Sequence, residues 1–283
     1  MRLLFFALAL AVAAPVKKIE VQGHRGARWE KPENSLAAFK YALEIGVDTL
    51  ELDTLVTKDG VVVAGHDAVL NRDICIQKNG QRLTGKVLVR TLTLADLKNY
   101  DCGALGNPKF PTQKAIAKTS MPTLEEVFST INGLPRGRKV KFNIETKIDE
   151  KHPEYSPEPE EFVDKLLTVI KKHKVVDRVT IQSFDGRILK IAREREPKIS
   201  LSVLIDEKPR ESLVDIVKRY DAQILSPNFS WLTSEDVKAA HEAGVRVIPW
   251  TANQAGEWHR LIEMEVDGII TDNPKGLIDY FKK

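Results

Sequence analysis

Cysteine is almost missing from this chain: 283 residues hold two, Cys75 and Cys102. Neither lies at a strand end beside a histidine, so a thiol nucleophile is not expected, and at most one disulfide can form within the chain. Aromatic residues are sparse at 7%, and no basic block interleaves with them. Net charge is also small, +3 from 43 basic and 40 acidic residues. A nucleic-acid partner is therefore not expected. No G-x-G-x-x-G or P-loop follows any apolar run, which argues against an open dinucleotide-binding sheet. There is no low-complexity tract and no repeat beyond an alternation of short runs. Long hydrophobic stretches are missing too; the apolar run Leu3–Ala11 is too short to cross a bilayer comfortably.

That run reads instead as an export leader. Arg2 gives a positive start, and Ala11-Val12-Ala13 a small-residue cleavage pattern. Residues 1–14 are expected to be a signal peptide, cut after Ala13 or Ala14. The remainder, 15–283, would be exported, periplasmic or secreted, with no stable membrane span. An oxidising compartment allows a Cys75–Cys102 bridge; two reduced, buried thiols are the alternative. A bridge closing that loop contributes roughly 3–4 kcal/mol in the chain-entropy model.

Short β-branched runs alternate with amphipathic stretches. Strands are predicted at 19–23, 49–53, 139–145, 179–183, 200–205, 222–226, 245–249 and 268–271. Helices are predicted between them, with Thr123, Ser212 and Thr233-Ser234 opening three and Gly46 and Gly244 closing two. Eight such units predict an α/β fold, a parallel sheet closed into a (β/α)8 TIM barrel. Residues from about 67 to 121 break the rhythm and read as an insertion after the second strand, a small subdomain over the barrel mouth.

Candidate chemistry gathers at the predicted strand ends. His24-Arg25 follows the first strand: an imidazole that titrates near neutral pH and a guanidinium that forks onto phosphate. Glu51 and Asp53 alternate on the second strand, so both carboxylates face one side. They repel unless a proton or a cation is shared, or unless they are simply solvated. Glu145 on the third strand adds an oxygen ligand, and Lys147 faces the same way, suited to a phosphate oxygen. An all-carboxylate set favours one hard divalent cation, Mg²⁺ or Ca²⁺. His66 closes another apolar run and supplies a second imidazole for acid–base work.

These pieces together resemble the glycerophosphodiester phosphodiesterase family: His24-Arg25-Gly26-Ala27, Pro32-Glu33-Asn34-Ser35, Glu51-x-Asp53, Thr57-Lys58-Asp59-Gly60-Val61, His66-Asp67, Asn143-Ile144-Glu145-x-Lys147 and Thr271-Asp272-Asn273-Pro274. The resemblance spans nearly the whole mature chain. It implies a single TIM-barrel domain with a small insertion after strand two. It implies His24 and His66 as the acid–base pair, Glu51, Asp53 and Glu145 as metal ligands, and Arg25 and Lys147 on phosphate. It also implies Trp250 lining the site. The substrate implied is a small-molecule glycerophosphodiester, cleaved to sn-glycerol 3-phosphate and an alcohol. Alternatives on the same barrel are a lysophospholipase D or sphingomyelinase D-like enzyme, or a non-catalytic binder of glycerophosphodiesters. Oligomeric state is not legible.

Overall fold

The computed structural model describes residues 18–282, so the predicted leader and its predicted cleavage site lie outside the described residues. The strands are β1 (Glu20–Gly23), β2 (Thr49–Val56), β3 (Val62–Ala64), β4 (Ile76–Gln77), β5 (Tyr100–Asp101), β6 (Lys141–Thr146), β7 (Val179–Ser183), β8 (Ser200–Ile205), β9 (Ile224–Pro227), β10 (Arg246–Val247) and β11 (Gly268–Thr271). Eight of them form one parallel path, β10-β9-β8-β7-β6-β2-β1-β11. Its two ends meet through Asp267 N donating to Val247 O at 2.8 Å and Ile270 N to Pro249 O at 3.0 Å. The result is the (β/α)8 barrel that the strand rhythm predicts.

Every residue of β2 is buried, because a barrel strand is covered by helices outside and by facing side chains within. The outer helices form for local reasons. Helix α1 (Leu36–Ile45) opens where Ser35 Oγ accepts from Ala38 N, and closes at Gly46 with φ 102°. Helix α2 (Leu94–Leu97) is a single turn in the insertion. Helix α3 (Leu124–Asn132) opens on a Thr123/Glu126 capping box and buries Leu124, Val127, Phe128 and Ile131, a 3.6-residue stripe. The same periodicity buries Phe162, Val163, Leu166, Leu167 and Ile170 on α4 (Pro159–Lys172).

The segment after β2 is more ordered than its broken rhythm suggests. Strand β3 folds back antiparallel on β2, and β4 pairs antiparallel with β5. Leu70, Ile74, Leu83, Val89 and Leu97 form a small core of its own against Leu55 and Val63 of the barrel wall. Cys75 and Cys102 are joined in a disulfide that links the β4 and β5 edges. This subdomain also grips the loop after β1: Gln113 Nε2 donates to Arg28 O at 2.6 Å, and Trp29 packs on Phe110 at 5.5 Å.

Candidate active site

The three predicted carboxylates meet. Glu51, Asp53 and Glu145 each offer an oxygen within 4.8 Å of the others, and they are 1%, 0% and 7% exposed. The register explains it: Asp53 of β2 lies beside Glu145 of β6, and Glu51 beside Asn143. Arg25 Nε is 3.1 Å and Lys147 Nζ 3.5 Å from Asp53, and Lys147 donates to Glu145 Oε1 at 2.5 Å. Asn34 Nδ2 donates to Asp53 Oδ2 at 2.9 Å, while the buried Asp53 Oδ1 has no hydrogen-bond partner.

These charges pull the acids apart. Burial, with Asp53 and Glu145 close by, pushes the Glu51 carboxyl well above its usual range. Burial also raises Glu145, against the pull of Lys147. Asp53 goes the other way: burial opposes ionisation, yet Arg25, Lys147 and the two histidines hold it well below the ordinary carboxylate range.

Arg25 takes a left-handed backbone, φ 51°, uncommon for a residue with a side chain. Its N–H donates to Glu51 Oε2 at 2.8 Å, which fixes that conformation. Gly26, φ 88°, must stay a glycine, because a Cβ there would sit 2.8 Å from Ala38.

His24 and His66 line the same cavity as Arg25, Glu51, Glu145 and Lys147. His24 Nδ1 bonds Asp272 Oδ1 at 2.5 Å, and its Nε2 lies 3.9 Å from Glu51. Burial lowers the His24 pKa; Asp272 opposes this and Arg25 and Arg28 add to it. Asp272 itself falls to about 2: burial raises it, but His24 and Arg28 outweigh that. His66 is less enclosed and bonds Asp67 through Nδ1 at 2.6 Å. Trp250 walls the cavity, anchored by Nε1 donating to Ser226 O at 2.9 Å. Phe184, half exposed, stands edge-on to it at 5.6 Å.

Several residues at the site have no task in the sequence-based reading. Gln182 donates to Glu51 Oε1 at 2.8 Å. Glu33 bridges Arg25 at 2.6 Å and Arg28 at 3.0 Å, and accepts from Asn107 of the insertion at 3.3 Å. Asn253 steadies Asp272 at 2.8 Å. Of these, Glu33 lies inside a recognisable stretch, while Gln182 and Asn253 carry no local signal. Trp29 packs against the insertion, and Trp231 Nε1 donates to Asp206 O at 2.6 Å.

A family model described as the Glycerophosphoryl diester phosphodiesterase family matches residues 24–276. A glycerophosphodiester phosphodiesterase of Caldanaerobacter subterraneus subsp. tengcongensis is 33% identical over 269 residues, covering 94% of this chain and 99% of that one. Another, of Bacillus subtilis (strain 168), is 30% identical over 278 residues, covering 94% and 86%. A crystal structure from Silicibacter pomeroyi DSS-3, whose name places it in the same group, superposes with a TM-score of 0.87. Its identity is 30%, over 94% of this chain and 93% of that one.

Proposed function

The chain belongs to the glycerophosphoryl diester phosphodiesterase family, and we propose that it hydrolyses glycerophosphodiesters to sn-glycerol 3-phosphate and an alcohol by two-histidine catalysis with one divalent cation. The observation that carries this reading is the meeting of three buried carboxylates, two of which, Glu51 and Glu145, line one cavity with Arg25, Lys147 and both imidazoles.

Glu51, Asp53 and Glu145 would hold Mg²⁺ or Ca²⁺. The set is all oxygen, Asp53 Oδ1 is a buried acceptor with no hydrogen bond and only Lys147 Nζ at 3.5 Å, and burial beside two other acids holds the Glu51 carboxyl well above its usual range. Glu33, Asp53, Glu145 and Asp272 pair with Arg25, Arg28 and Lys147, so four acids against three cations leave one negative charge; ionising Glu51 on binding a divalent ion makes it two, which that ion balances. Bound there, such an ion supplies positive charge to a phosphate oxygen as charge builds in the transition state.

Arg25 and Lys147 hold the other phosphate oxygens in this reading. His24 is kept neutral by burial, with Nδ1–H pinned on Asp272, so Nε2 is free to take the proton from the attacking oxygen. As the new P–O bond forms and the ester P–O bond breaks, His66 donates a proton to the departing alkoxide. His66 suits that task because it stands where the cavity opens into an outer lobe. Trp250 bounds the substrate on the far side.

A second reading rests on that outer lobe. Ala68 and Val69 of the insertion, with Ile148 and Phe184, give it an apolar wall that an acyl chain could follow. One assay tests both readings: glycerophosphocholine and its acylated counterpart are incubated with and without chelator. We expect glycerol 3-phosphate from the first, lost with chelator. Faster cleavage of the acylated substrate would favour a lysophospholipase D. No release from either would refute the phosphodiesterase reading.

Export is part of the proposal, supported by the leader and by the Cys75–Cys102 disulfide. Osmotic-shock or medium fractions should hold the protein; recovery with cytoplasmic markers would refute export. Among the described residues no helix is long and apolar enough to cross a membrane.

A further inference from the structure

Asn143 opens the stretch that carries Glu145 and Lys147, but its hydrogen bonds go to two other amides. Its Nδ2 donates to Gln22 Oε1 at 2.9 Å and to Gln182 Oε1 at 2.8 Å. Gln22 Nε2 donates onward to Glu20 Oε1 at 3.0 Å, and Gln182 Nε2 to Glu51 Oε1 at 2.8 Å. All three amides are buried. A chain of three amides thus crosses the barrel interior and ends on a carboxylate at each side.

The direction of every bond in that chain follows from its far end. An ionised carboxylate only accepts. Glu20 is half-buried and receives Thr49 Oγ1 at 2.5 Å and Arg246 Nη2 at 2.8 Å, which hold its carboxyl below the usual range and keep it ionised. Gln22 must therefore turn its NH₂ to Glu20 and its oxygen to Asn143. Asn143 must then give one hydrogen to each glutamine, and Gln182 must turn its NH₂ to Glu51. Asn143 Oδ1 is left buried with no hydrogen-bond partner, so the side chain is held as a double donor. Reversing any one amide would set two oxygens face to face.

We propose that Asn143 is a positioning residue for the carboxylate triad: through Gln182 it keeps a donor on Glu51 Oε1, and so fixes how Glu51 meets a cation. The Arg25 N–H already fixes Glu51 Oε2 at 2.8 Å, so the two bonds together leave the carboxylate one orientation. This proposal rests on the triad binding a divalent cation. Groups that orient metal ligands typically change metal affinity 10- to 100-fold, about the scale expected here.

The test is calorimetric titration of Ca²⁺, with Mg²⁺ in parallel, into the full chain: wild type, Gln182→Met, Asn143→Asp and the double variant. Methionine keeps the volume of Gln182 and removes the donor. An aspartate at 143 accepts where Asn143 donated, so Gln182 must reverse and present its oxygen to Glu51. Each single variant should raise Kd roughly tenfold or more, with Asn143→Asp the weaker binder. The double variant should bind no more weakly than Asn143→Asp alone, since both changes act on one bond. A packing role would lower the melting temperature of the cation-free protein and leave Kd alone. Affinity within about twofold of wild type in Gln182→Met, or losses that multiply in the double variant, would overturn the proposal. Should Asn143→Asp fail to fold, Gln182→Met decides on the same criterion. Wild type that binds neither cation overturns the triad reading itself, whereas normal wild-type binding with unaffected variants overturns only the amide chain.

Discussion

Asp53→Asn is expected to lower kcat/KM by at least about a thousandfold, and no excess of Mg²⁺ or Ca²⁺ should restore it. The size follows from where the charge sits. Asp53 is fully buried between the Arg25 guanidinium, 3.1 Å away, and the Lys147 ammonium, 3.5 Å away. It is the one triad acid that its neighbours hold well below the usual range, so it is ionised before any metal arrives. An amide there removes an anionic ligand and leaves the buried Arg25 guanidinium and the half-buried Lys147 ammonium without the acid between them. A thousandfold corresponds to about 4 kcal/mol of transition-state stabilisation, the scale of one strong electrostatic contact in a dry site. Glu51→Gln should be milder and should show chiefly as a higher cation requirement, because Glu51 ionises reluctantly in the first place. Steady-state kinetics across a cation series check both. Asp53→Asn within tenfold of wild type would remove Asp53 from the ligand set.

His24→Ala should lose at least about a hundredfold in turnover, the usual scale for a general base, and His66→Ala a similar factor as the general acid. The pH profile separates the two roles. A base must be neutral, so activity falls as pH drops through its pKa. Burial and the neighbouring arginines lower His24 from its ordinary 6.5, so the acid limb of kcat/KM should lie below pH 6.5. Asp272 works against that shift, so Asp272→Asn should move the limb to still lower pH. It should also lower kcat, because Nδ1–H loses the acceptor that orients the ring. An acid limb that stays put in His24→Ala, or moves up in Asp272→Asn, would contradict the assignment of His24 as base.

The site was legible where side chains alternate along a strand. Glu51 and Asp53 are two residues apart, so any strand there sets both on one face, and Lys147 follows Glu145 by the same rule. The strand–helix alternation gave the barrel, and the quoted stretches gave the family that the comparisons bear out. What was hidden depends on barrel closure. His24 and Asp272 are 248 positions apart and meet because β1 pairs with β11. Gln182 reaches Glu51 across 131 positions, and a lone glutamine in an apolar strand has no pattern to mark it. The two-residue strands β4 and β5 are too short to alternate, so the insertion reads as a small subdomain from the sequence but its strand pairing and small core do not.

The most direct measurement is a crystal of the full chain grown with Ca²⁺ and glycerol 3-phosphate. One cation should appear with oxygens from Glu51, Asp53 and Glu145 at roughly 2.3–2.6 Å, and with a phosphate oxygen and waters among its remaining ligands. Arg25, Lys147, His24 and His66 should surround that phosphate. A cation bound elsewhere, or a phosphate seated away from both imidazoles while the triad closes on Lys147 alone, would contradict the mechanism.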